Sequence, residues 1–194
     1  MGHTMKARVS AAAVLGMWVM SLGQVAQAQT LPGRPGLWIE STSGTMNGNA
    51  LPGLEATLEA YGPEVHTRVR AALKRYGLPL DGAPSLKCLS SADFDVDAVL
   101  RKARQECPGA QVEKTATGVK YRGTCQGQSG TTASVEGEVR MSAKGDEIVS
   151  NNRVSGQFMK GRYVSEHRSI QKWIGGDCSH PPAGVDREWL TMDQ

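Results

Sequence analysis

Few side chains in this sequence combine the type and the spacing that chemistry requires. His66, His167 and His180 are the only histidines beyond the first thirty residues, and none stands in an H-E-x-x-H or comparable pattern. Asp177-Cys178-Ser179-His180 offers half of a zinc site, but zinc takes three or four ligands and an oxidised thiol cannot be one. Gly127-Gln128-Ser129-Gly130-Thr131 resembles the G-x-S-x-G nucleophile elbow. Thr131 replaces its last glycine, however, and a strand rather than a helix is predicted to follow. Glu136 and Glu138 share one face of a predicted strand, as paired glycosidase carboxylates would, yet alternation puts them with Thr132 and Arg140 on the solvent side. These patterns assign no catalytic residue, no metal ligand and no cofactor.

The cysteines and tryptophans are more informative. Cys88, Cys107, Cys125 and Cys178 make an even set, which in an oxidising compartment reads as two disulfides. Residues 110–114 and 119–125 read as two strands joined by Thr115-Ala116-Thr117-Gly118. With Lys114 opposite Val119, antiparallel register places Cys107 within bridging reach of Cys125. Cys88–Cys178 follows by elimination, and a loop of that length is stabilised by about 4 kcal/mol in the chain-entropy model. Trp38 and Trp173 fall in the first and last predicted long strands. They either pack a core or line the mouth of a half-closed barrel that takes a small apolar ligand.

The elements that must position these residues begin with an extended lead-in at 30–36 and a strand at 37–45. A short helix is predicted at 54–60. A better one starts at Pro63 and stops at Gly77, with Val65, Val69, Ala72, Leu73 and Tyr76 on one stripe. Arg68, Arg70, Lys74 and Arg75 take the rest of its surface. The Val/Ala stripe suits packing on a sheet better than insertion among lipids. A strand at 85–89 carries Cys88. Ser90 or Ser91 then caps a helix to about 106, with Phe94, Val99, Leu100 and Ala103 inward. The clearest strand is 132–142, where Ala133, Val135, Gly137, Val139 and Met141 alternate with polar residues. Strands at 147–159 and 162–174 follow through short turns, and 181–194 reads as a loose tail with Trp189 as its candidate for docking.

The chain has 194 residues, 22 Lys plus Arg and 19 Asp plus Glu. Met5-Lys6-Ala7-Arg8, the apolar run 9–22 and Ala26-Gln27-Ala28 form a signal-peptide pattern, so residues 1–28 are expected to be removed near Ala28. Met1 and Met5 both remain candidate initiators. Without Lys6 and Arg8 the balance is 20 basic to 19 acidic side chains, which excludes an overall basic field for nucleic acid. No later apolar run approaches the ~20 residues that span a bilayer. With 23 glycines and 5% aromatics, the composition suits a turn-rich β protein.

Pro35-Gly36-Leu37-Trp38, Lys87-Cys88-Leu89-Ser90, Cys107, Cys125 and Gln171-Lys172-Trp173-Ile174-Gly175-Gly176-Asp177-Cys178 also form an ordered set. Together they resemble the exported bacterial family known only as domain of unknown function 3617, from about Pro35 to Cys178. Ile39 stands where that family commonly has Glu, with Glu40 one place later, and Ser90 stands for Thr. The resemblance implies export, four paired cysteines and a compact β-rich domain, and carries no functional residue.

The sequence thus predicts one α+β, mainly β domain over 29–180. It is an antiparallel meander of about six to eight strands, open or half-closed into a barrel, with two helices and two disulfides. Periplasmic or secreted location is expected. The leading functional expectation is a non-enzymatic structural module or binder of a small apolar ligand or envelope component. A hydrolase whose site forms only in the fold and a secreted inhibitor of another envelope protein are the alternatives.

Overall fold

The computed structural model describes residues 31–126, 132–158 and 161–185. Its order is β1 (Gly36–Met46), β2 (Asn49–Ala50), α1 (Leu54–Leu58), α2 (Pro63–Arg75), β3 (Ala83–Leu89), a single 3-10 turn at Ser91–Phe94, α3 (Val96–Glu106), β4 (Gln111–Thr115), β5 (Gly118–Gln126), β6 (Thr132–Met141), β7 (Glu147–Phe158) and β8 (Gly161–Gly175). The leader, the 127–131 elbow-like stretch and Trp189 lie outside the described residues.

β4 to β8 form the expected antiparallel meander, and Lys114 does face Val119. The sheet then departs from chain order. β1 lies beside β8, so the first and last long strands are neighbours, and β2 and β3 pair with β1 on its other side. The sheet stays open, and the half-closed barrel allowed by the sequence does not form. β1 is therefore an interior strand, and its first six residues are all buried.

Alternation along β1 divides the core in two. Leu37 and Ile39 meet α1 and α2 through Leu54, Leu58, Val69 and Leu73. Trp38 faces the other way, with Phe94, Met141 and Ile148, and Leu31 and Trp173 pack against that cluster. α2 runs as its stripe predicts. Its C-terminus closes with Gly77 at φ 67°, a Gly77 N–H bond to the Lys74 carbonyl at 3.1 Å and a Leu78 N–H bond to the Leu73 carbonyl at 2.9 Å. The left-handed residue thus satisfies two carbonyls that the helix end would leave open, and Leu73 and Leu78 pack beneath it.

The second predicted helix is broken. Asp93 accepts from the backbone and hydroxyl of Ser90 at the head of the 3-10 turn, and Asp95, extended at ψ 98°, begins α3 by accepting from the Ala98 N–H at 3.0 Å. This restart resets the helical phase. Val96 and Leu100 are buried, whereas Val99, expected inward, is 44% exposed. The segment expected to start a loose tail also docks at its near end, since Val185 joins the α2 core and Arg75 donates to the Ala183 carbonyl.

No helix among the described residues is long and apolar enough to cross a membrane. The break at Asp95 generates the first prediction. Leu100→Ala should cost about 2–5 kcal/mol in urea unfolding, and Val99→Ala should stay within about 0.5 kcal/mol. Equal losses at the two positions would contradict the reset phase.

Candidate functional site

The most concentrated polar chemistry lies on the Trp38 face of the sheet, beneath β3, β1 and β8. Glu40 is only 4% exposed. Its Oε2 accepts from Ser85 Oγ at 2.9 Å and pairs with Lys87 Nζ at 2.6 Å. Its Oε1 accepts from Gln171 Nε2 at 3.0 Å and from the Ser169 hydroxyl. Register explains the convergence, because Glu40 stands opposite Ser85 on β3 and Gln171 on β8. Burial alone would raise this carboxyl's pKa. The hydrogen bonds from Lys87, Ser169 and Ser85, with the Lys87 charge, outweigh burial and hold it below the ordinary glutamate value. A carboxylate so fully engaged is a weak base and has little capacity left for a substrate.

Further along the same face, the Tyr121 hydroxyl donates to Asn152 Oδ1, and burial raises the phenol's pKa. The ring crosses Gly137 on the intervening strand, where a Cβ would come within 2.6 Å of its Cζ and hydroxyl oxygen. His167, opposite Asn152, pairs through Nε2 with Ser165 Oγ at 2.6 Å. Ser165 is 4% exposed, so its hydroxyl is buried against the half-buried imidazole.

The other histidines are placed apart. His66 Nε2 reaches the carbonyls of Leu58 and Tyr61 at 2.7 and 3.1 Å, tying α2 to the end of α1. His180 sits at the surface with Asp177, whose pKa it lowers through a hydrogen bond. Trp38 is fully buried, and its Nε1 donates to the Arg34 carbonyl. Trp173 lies opposite it, donates to the Pro35 carbonyl and carries the Arg34 guanidinium 5.2 Å above its ring. Trp38 occupies a core position and Trp173 is half-buried at its edge, both held by the lead-in. Cys88 joins Cys178 and Cys107 joins Cys125, with Cα separations of 5.7 and 4.5 Å, the pairing that the β4–β5 register implies. No group of three or more His, Cys, Asp or Glu side chains placed to hold a metal occurs among the described residues.

Beyond the strip of β8 where Ile170 and Ile174 join the helical core, the opposite face of β4–β8 is exposed and charged among the described residues. Arg122, Glu136, Arg153 and Glu166 stand in one cross-strand row of alternating sign. Arg153 lies 3.2 Å from Glu166 and 3.8 Å from Glu136. Glu138 lies 3.7 Å from Arg140, so the two glutamates singled out by spacing are members of surface ion pairs. An open concavity of about 570 Å³ lies on this face, bordered by Gln111, Glu113, Lys120, Arg122, Glu136 and Glu138. On α2, Arg70 pairs with Glu55, and Arg75 stacks on Tyr76.

Spacing rules pass over Glu40 because its partners come from strands 45 to 131 residues away. The available signal is a carboxylate two places after Trp38 in a strand otherwise destined for the core. The Glu40 carboxylate also sets an acid dependence. A folded pKa below the unfolded one gives stability that is full above the unfolded value of about 4.5 and lost as pH falls through the folded value. Glu40→Gln should therefore cost about 1–3 kcal/mol at pH 7 and flatten the acid limb of urea stability measured between pH 7 and 3. An unchanged acid limb in Glu40→Gln would contradict this role.

Comparisons with curated proteins and with solved structures return no match. A family model matches residues 33–178, a span that holds β1, the Glu40 carboxylate with all its donors, and both disulfides; the chain belongs to the family described as protein of unknown function, DUF3617.

Proposed function

We propose that this chain works outside the cytoplasm, in the periplasm or secreted after removal of its leader, as a non-enzymatic module. It engages an envelope component or protein partner through the exposed charge row that crosses β5–β8. One observation carries this reading. The groups best suited to chemistry already serve each other within the fold, whereas the Arg122–Glu136–Arg153–Glu166 row stands open to solvent. Glu40 is engaged by four donors, Ser165 is buried against His167, and His66 is held by two carbonyls.

A concave polar sheet with alternating charge selects partners by electrostatic pattern more than by apolar burial. This reading sets aside the small apolar ligand as the favoured occupant, because Trp38 is fully buried against Leu31 and Phe94, and half-buried Trp173 is engaged by Pro35 and Arg34. Each exposed pair of the charge row contributes only about 0–1 kcal/mol, so the row can be rearranged by a partner at small cost.

Native mass spectrometry of protein taken without denaturant from its host's envelope tests the proposal. The expected species starts at Gln29, lacks four thiol hydrogens and retains a partner that is lost in Arg153→Glu. Hydrolysis of ester or glycoside substrates that disappears in His167→Ala or Ser165→Ala would overturn the non-enzymatic reading.

A further inference from the structure

The two disulfides differ in what surrounds them. Cys107 is buried at the end of α3 and Cys125 is half-buried on β5, so that bridge lies between a helix and the sheet. Cys88 is exposed near the end of β3, and its partner Cys178 follows β8 directly. β1 runs between those two strands, with Leu37 opposite Cys88 on one side and Gly175 on the other. This bridge, exposed at Cys88 and half-buried at Cys178, therefore clasps the end of the sheet from β3 across β1 to the chain that leaves β8.

That chain, residues 176–185, lies over the α2 core. Val185 is buried in the cluster that contains Leu37, Leu73, Leu78 and Ile174. The Val185 N–H donates to the Pro182 carbonyl at 3.0 Å, and Arg75 Nη1 donates to the Ala183 carbonyl at 3.2 Å. Within the segment, Asp177 accepts from the Ser179 N–H and pairs with His180.

Thiol–disulfide exchange requires a thiolate to reach a sulfur in line with the bond it breaks, so access selects the bridge that reacts. We propose that Cys88–Cys178 is a reducible latch that holds residues 176–185 over the α2 core, while Cys107–Cys125 is a structural bridge shielded from the same reductant. The reductant class is a dithiol. Its first thiolate attacks Cys88 Sγ, the Cys88–Cys178 bond breaks, and Cys178 departs as a thiolate. The second thiolate then displaces Cys88 from the mixed disulfide. The dithiol becomes a disulfide, its two electrons and two protons pass to Cys88 and Cys178, and both end as thiols. Once released, the segment loses its covalent tie to β3, and its departure withdraws Val185 from the apolar cluster of Leu37, Leu78 and Ile174.

Graded reduction of the full chain with dithiothreitol, quenched by alkylation and read by peptide mapping, tests this order. Cys88 and Cys178 should be labelled about tenfold or more faster than Cys107 and Cys125. At the same stage, limited proteolysis within 176–185 should rise by a similar factor over the oxidised protein. The paired Cys88→Ser and Cys178→Ser variant should show that cleavage with no reductant. If the variant does not fold, the reduction series on the unaltered chain decides alone. Labelling of Cys107 and Cys125 first, or of all four together, overturns the proposal. So does a reduced segment that resists proteolysis as the oxidised one does.

Discussion

β1 must be buried on both faces and paired on both edges at once, and the rest of the structure follows from that demand. Odd positions send Leu37 and Ile39 into the helical core. Even positions send Trp38 into the second cluster and place Glu40 beneath β3 and β8. A buried carboxylate is tolerated only when donors converge on it, because losing water costs several kcal/mol per ion. Ser85 and Lys87 on β3, with Ser169 and Gln171 on β8, meet that requirement, and they can do so only if β1 separates those strands. The Cys88–Cys178 bridge spans the same three strands at their end.

This arrangement divides the molecule into a dense half and an open half. Around β1 lie both apolar clusters, the indoles, the Glu40 network and the latch of residues 176–185. Toward β4 the sheet thins to strands whose outer face is a lattice of exposed charges and whose inner face is spanned by Tyr121 over Gly137. Among the described residues, the Glu40 carboxylate and the Ser165–His167 pair are engaged within the fold, and an exposed charge row crosses β5–β8.

What the sequence disclosed is what local rules govern. The turn at 115–118 determined the β4–β5 register and hence Cys107–Cys125, and Pro63 and Gly77 marked the ends of α2. The β1–β8 pairing is invisible to period and spacing because it joins residues more than a hundred positions apart. The break before α3 turns on Asp95, which caps the helix after it more effectively than it continues the turn before it. Alternation along β1 sends Ile39 into the α2 core and turns the neighbouring Glu40 to the opposite face, where it meets its donors.

The central role of β1 is tested most directly by native-state hydrogen exchange resolved to single amides. Amides of β1 and of its neighbour β8 around Ser169–Gln171 should exchange only through global unfolding, with β4 and β5 opening at lower free energy. Slowest exchange in β4 and β5, with β1 opening earlier, would contradict the account.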